Sequence, residues 1–286
     1  DGVIAGLHGA GAVTERISSV GVDSWGVDYV LLDGAGRVLE AHEAAREAIA
    51  LLEGLPPGRE LARAYSELSL FRVLAEDFDG AIAWGTRAIE LAEPLGDVET
   101  LVHGLTNIGG MEALWGAPEG REKLERSLRL AEEAGLDEPA ARAHAHLARS
   151  ALRRRSYAQA DACLEAALAH STERDVVLYR QYLVAFRARS ELEQGRWSDA
   201  ADSAALALRE LEPGNAPIVR PIVRAPALAV LGLIRARRGD PDVWPLLDEA
   251  LALAEAADEL PWLTPVATAR AEAAWLEGRL DAVAAA

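Results

Sequence analysis

Small side chains return along this chain at a near-fixed interval and in one pattern, a small or apolar residue at i, i+4 and i+7. The sets are Ala41, Ala45 and Ala48; Ala81, Gly85 and Ala88; Gly120, Leu124 and Ser127; Ala160, Leu164 and Ala167; Ala200, Ala204 and Ala207; and Val243, Leu247 and Ala250. Their last members are separated by 40, 39, 40, 40 and 43 residues. Positions i, i+4 and i+7 share one face of an α-helix, so each set lets a helix lie close against its neighbours. A period of this size marks an array of helical hairpins, each of which buries its apolar face only against the next.

The segments before each set carry larger apolar residues, for example Tyr65, Leu68 and Phe71, or Tyr182, Phe186 and Leu192. These predict the first helix of each hairpin. Helix breakers fall between, at residues 54–58, 93–97, 116–118, 135–139, 195–197, 212–217 and 239–241. Asp97, Asp137, Ser198 and Asp240 are the expected N-caps.

Composition narrows the function. The chain has 46 acidic residues against 29 basic ones, a formal charge of −17, which repels phosphate backbones and argues against direct nucleic-acid binding. A single cysteine, Cys163, excludes an internal disulfide and a multi-cysteine metal site. No apolar run is long enough to span a bilayer and no signal peptide is evident, so a cytoplasmic location without membrane contact is expected. The first residue is Asp, and the array opens on a second helix and closes on the start of another; truncation at both ends is expected.

Residues 1–39 follow another pattern. Residues 17–23 and 26–33 are rich in Val, Ile, Leu and Tyr and read as two strands, with a turn at Gly34–Gly36. The stretch ISSVGVDSWGVDYVLLDGAGRVLE, with its core at Asp23–Asp28, resembles the N-terminal domain of rhamnulokinase, a sugar kinase of actin-like fold. That resemblance implies a position near the sugar for Gly26. The kinase's phosphate-binding strand and its catalytic aspartate have no counterpart here, so phosphoryl transfer is not expected.

From residue 40 onward the pattern resembles the tetratricopeptide repeat, with helices about one turn longer. Passages such as EGREKLERSLRLAEEAGLDEPAARAHAHLA, GRWSDAADSA and LGLIRARRGDPDVWPLLDEALALAEAADEL are similar to the repeat region of LuxR-type and MalT-like ATPase regulators. That resemblance implies a nucleotide-binding domain upstream and an effector domain, often a DNA-binding helix-turn-helix, downstream. This chain holds no G-x-x-x-x-G-K-[ST] loop, and Lys123 follows Arg121-Glu122 within a helix.

No constellation of catalytic residues emerges. His144 and His146 are two apart on a predicted helix and point to different faces, so they do not form a chelating pair. Cys163 lies between Ala162 and Leu164 on a packed helix and reads as a structural thiol. Arg153–Arg155 and Arg235–Arg238 end predicted first helices, where cations suit the helix dipole or an acidic partner. The array's tryptophans read mainly as packing between repeats.

The sequence therefore predicts an all-α solenoid of tetratricopeptide-like hairpins over residues 40–286, preceded by a short β-hairpin element in residues 1–39. Its expected function is a non-catalytic scaffold that binds a protein or peptide partner, or a small inducer, on the concave face built from first helices. No cofactor and no metal are expected, and the sequence sets no oligomeric state. Tyr65, Arg72, His144 and Tyr182 are the candidate contacts because each sits on a predicted first helix. The alternatives are a carbohydrate-kinase fragment and a chimeric reading frame without selected function.

Overall fold

The computed structural model describes residues 19–22, 29–32, 41–75, 77–210, 221–257 and 260–279. Two short strands, β1 (Ser19–Val22) and β2 (Tyr29–Leu32), pair antiparallel with Ser19 opposite Leu32 and Val22 opposite Tyr29. Gly26 and the other residues between the strands lie outside the described residues. Everything else described is helix and connecting turns: α1 (Ala41–Leu52), α2 (Arg59–Leu74), α3 (Phe78–Ala92), α4 (Val98–Leu114), α5 (Pro118–Glu133), α6 (Asp137–Arg153), α7 (Tyr157–Glu173), α8 (Val177–Glu193), α9 (Trp197–Glu210), α10 (Ala225–Arg238), α11 (Val243–Ala257) and α12 (Leu260–Leu276). A 3₁₀ turn, Pro221–Arg224, leads into α10. The chain divides into two compact units, Asp1–Thr100 and Leu101–Ala286. None of the described helices is long and apolar enough to cross a membrane.

The small-residue stripes are buried as the spacing predicts from α3 onward, whereas Ala45 and Ala48 of α1 are only half-buried. Ala81, Gly85 and Ala88 of α3 are enclosed, and the stripe continues to Ala92. The same extension by four residues adds Ala131 in α5, Ser171 in α7 and Ala254 in α11. At the α4–α5 crossing the two backbones come into direct contact. A Cβ on Gly109 would lie 2.9 Å from the Gly120 carbonyl oxygen and 2.9 Å from Lys123 Cβ. Gly120 faces the backbone of Glu112 and Ala113 in return. Larger side chains of the first helices fill the space between: Leu147 with Leu124 and Ala113, Leu183 with Leu164 and Ala148, and Leu228 with Leu247.

Neighbouring repeats are also tied by polar bonds at nearly constant sequence separation. Tyr157 Oη donates to Glu193 at 3.1 Å, Arg196 pairs with Asp161 at 3.1 Å, and Arg237 pairs with Glu272 at 2.7 Å. Arg142 donates to Asn107 at 2.6 Å. Each links adjacent repeats, the nearest-neighbour coupling expected of a repeat array.

The helix junctions from α3 to α9 share one mechanism. A residue in the left-handed conformation stands at positions 96, 116, 135, 155, 175 and 195, every half-period. The amide after it reaches back five residues, as Leu136 N–H to the Ala131 carbonyl (2.8 Å) and Ser156 N–H to the Ala151 carbonyl (3.0 Å). This is a Schellman closure, which satisfies the last carbonyls of one helix while aiming the chain into the next. Glycine serves at four of these positions, but Arg155 (φ 55°) and Asp175 (φ 54°) do not have its freedom. Of the expected caps, Asp97 accepts from Thr100 N–H at 3.4 Å, while Asp137 and Ser198 lie inside their helices and Asp240 accompanies the αL turn that closes α10. A cap not foreseen is Asp77, which accepts from Gly80 N–H at 3.0 Å.

A left-handed non-glycine residue costs about 1 kcal/mol. Arg155→Gly is therefore expected to raise the urea midpoint by the equivalent of roughly 0.5–1 kcal/mol, the added unfolded-state entropy offsetting part of the gain. An unchanged or lower midpoint contradicts the strain.

Candidate functional site

The four expected contact residues fall into different surroundings. Tyr65 on α2 is only 5% exposed, and His144 on α6 and Tyr182 on α8 are each 8% exposed. A first helix is flanked by both its own partner and the next hairpin, so aromatic positions on it are drawn into the packing. This corrects the expectation of an open contact surface at those three positions. Arg72 is more accessible, but its guanidinium reaches Asp77 at 3.0 Å, across the α2–α3 turn.

Tyr65 belongs to a compact polar-aromatic cluster. Its hydroxyl donates to Glu53 at 2.8 Å and accepts from Arg87 at 2.6 Å. The Arg87 guanidinium also meets Glu53 at 2.6 Å and lies over the Tyr65 and Trp84 rings at 4.1 and 4.7 Å. The Arg87 hydrogen bond, helped by Tyr65, holds the Glu53 carboxyl below its usual range. A cation over two rings and on a carboxylate holds α1, α2 and α3 together. Tyr182 stacks on Trp262 of α12 at 5.5 Å and so joins helices two repeats apart.

The tryptophans divide. Trp84 packs inside its cluster, and Trp244 donates to Glu277 at 3.0 Å with Arg279 over its ring. Trp115 and Trp275, in contrast, are 65% and 61% exposed, against the expectation of packing between repeats. Cys163 is half-buried beside Leu124 and Leu147, and burial raises its thiol pKa, so it stays protonated near neutrality.

His144 is joined by a histidine that the sequence reading did not pair with it. His170 of α7 lies ring-to-ring with His144 at 5.5 Å, and Glu132 at the end of α5 places a carboxylate oxygen 3.9 Å from His144 Nε2. Burial, then the neighbouring His170, lowers the His144 pKa to about 4. His170 Nε2 is 3.1 Å from the Asp137 carbonyl oxygen. A carbonyl only accepts, so the ring donates through Nε2, and in the neutral form of the ring the lone pair lies on Nδ1. Glu132 and His170 are 38 residues apart, close to one repeat, and that spacing was the available signal.

His146 faces the other side of α6, against Gly110 of α4. The residue as a whole keeps some exposure, but Nδ1 is sealed from solvent without a hydrogen-bond partner. The sealed nitrogen governs its chemistry: burial, with repulsion from Arg142 and Arg149, pushes its pKa well below the usual value.

From α6 to α11 charge is divided between the two kinds of helix. The first helices α6, α8 and α10 carry nine arginines and four carboxylates. The second helices α7, α9 and α11 carry one arginine and nine carboxylates. From α6 to α11 the helical arginines thus sit almost entirely on the first helices; the rule does not extend to α4, which has no arginine, or to the second helix α5, which carries three arginines and Lys123.

No protein-family model matches the chain, and no curated protein matches its sequence. Neither the rhamnulokinase-like nor the LuxR-like resemblance gains support from those comparisons. Solved structures do match in fold. The apo form of RapI superposes with a TM-score of 0.67 at 14% identity, over 86% of this chain and 87% of that one. A Rap protein complexed with competence and sporulation factor gives 0.60 at 13% identity, over 85% and 76%. BtubC (BKLC) from P. vanneervenii gives 0.58 at 19% identity, over 76% and 91%. At these identities the likeness establishes a tetratricopeptide-like helical repeat fold.

Neutral, sealed His146 has a consequence for pH. The unfolded chain binds a proton near pH 6.5, where the folded chain does not. Stability is therefore full above about pH 6.5 and falls as pH drops below it, by at most about 1.4 kcal/mol per pH unit for this residue. Denaturant unfolding between pH 7 and 5 is expected to show this slope together with a similar one from His144, and His146→Gln to reduce the total by the His146 share. An equal slope in the variant contradicts the assignment.

Proposed function

We propose that this chain is a non-catalytic scaffold whose first-helix face binds an acidic protein segment or peptide. The observation that carries this reading is the division of charge, with nine arginines on α6, α8 and α10. A face with an excess of positive charge raises the local concentration of an oppositely charged partner and speeds its encounter. In this proposal Tyr182 and His144 support the face from within, Tyr65 and Arg72 do the same for α2, and Arg142, Arg149 and Arg187 make the contacts. The fold likeness to a Rap protein complexed with competence and sporulation factor is in keeping with such a partner. The array would then be the sensing part of a larger signal-transducing ATPase or transcriptional regulator working in the cytoplasm, with Gly26 a sugar-contact remnant that takes no part.

The test is a selection from a random peptide library displayed on phage, followed by titration of the enriched peptides. Asp- and Glu-rich sequences are expected, with affinity that falls as salt rises. The triple variant Arg142→Ala, Arg149→Ala, Arg187→Ala is expected to weaken them by tenfold or more. Enriched peptides without acidic bias, or equal binding by the folded variant, would falsify the proposal.

A further inference from the structure

We infer that Glu132, His144 and His170 form a binding site for a borderline divalent transition-metal cation of the Zn²⁺ class. The three residues come from three consecutive helices, α5, α6 and α7, and each offers a ligand atom within 4.8 Å of the others. Two imidazoles and one carboxylate are a donor set that suits Zn²⁺, Ni²⁺ or Cu²⁺; Mg²⁺ and Ca²⁺ prefer oxygen-only shells.

The geometry is close to what a metal requires. Ligand atoms around a tetrahedral ion with bonds of about 2.1 Å lie about 3.4 Å apart. The His144 Nε2 to Glu132 Oε1 separation is 3.9 Å, and the Glu132 side chain is 49% exposed, free to swing the remaining distance. His144 is held in packed surroundings and cannot wander. His170 is oriented from outside the cluster by the Asp137 carbonyl, the arrangement by which metal-binding histidines have their tautomer and ring plane fixed. Asp137 is itself placed by Arg174 at 3.7 Å. The cluster thus has three ligand-bearing side chains and an outer hydrogen bond, with Glu132 leaving it open to solvent. Three protein ligands leave a fourth position for water or a donor group of another molecule.

The site is independent of the peptide reading. Its carboxylate lies on a second helix, and it joins two successive hairpins whether or not a partner binds. A cation there would pin the end of α5 to α6 and α7.

The experiment uses the untagged chain, freed of metal with a chelator, and Zn²⁺ itself as the probe in competition with a chromophoric chelator at neutral pH. One equivalent is expected to bind, and Co²⁺ in its place is expected to give the visible d–d bands of a four- or five-coordinate nitrogen–oxygen site. Glu132→Gln and His170→Gln are the chosen variants because both side chains are partly exposed, whereas His144 is buried. Each is expected to keep its helical circular dichroism and to lose at least tenfold in Zn²⁺ affinity, with the Co²⁺ bands lost or shifted. Absence of stoichiometric Zn²⁺ uptake overturns the inference, as does wild-type affinity in both folded variants or equal competition by Mg²⁺.

Discussion

The close approach of helix backbones through small side chains is the constraint on which the rest of the structure depends. Where Gly109 meets Gly120, no Cβ separates the α4 and α5 backbones. Elsewhere Ala81, Ala160 and Ala200 take the same role on α3, α7 and α9. Short interhelical distances fix which larger residues fit between, and so place Leu124, Leu164 and Leu247 in the core. They also bring the helix ends near enough for a three-residue junction, as at residues 134–136 and 154–156. The Schellman closures and the bonds between adjacent repeats follow from that spacing. Stability of this kind is carried by neighbour-to-neighbour packing rather than by one central core.

Much of this was legible in the chain because packing at a helix crossing is written in residue size, and size repeats with the period. The junctions were only half legible. Gly96, Gly116, Gly135 and Gly195 announce a left-handed turn, but Arg155 and Asp175 occupy the same conformation without the residue that normally signals it. There the surrounding helices impose the backbone and the local sequence does not. Asp137 misled as a cap for a related reason: an aspartate in the first helical turn meets the dipole as favourably as one just before it.

The site was less legible than the fold. Helical position picks out first helices, but not which of their faces stays open, and Tyr65 and Tyr182 fell on the packed side. Exposure depends on two neighbours supplied by distant sequence. The histidine cluster was invisible to a search within one helix, since its members come from three. Only the near-period spacing of Glu132 and His170 carried the signal, with His144 supplied by the helix between. Charge, in contrast, was present in the sequence throughout, and its meaning appeared once α6, α8 and α10 could be assigned as one class of helix.

The most direct test of the packing account is the stability of Gly109→Ala, followed by urea unfolding with helical circular dichroism. Helix propensity alone favours alanine over glycine by about 1 kcal/mol in a helix interior. The account predicts the opposite sign, a loss of about 1–3 kcal/mol, because the new methyl group must displace the α5 backbone at Gly120. A variant more stable than the parent would show that the two helices do not depend on this approach, and would contradict the central claim.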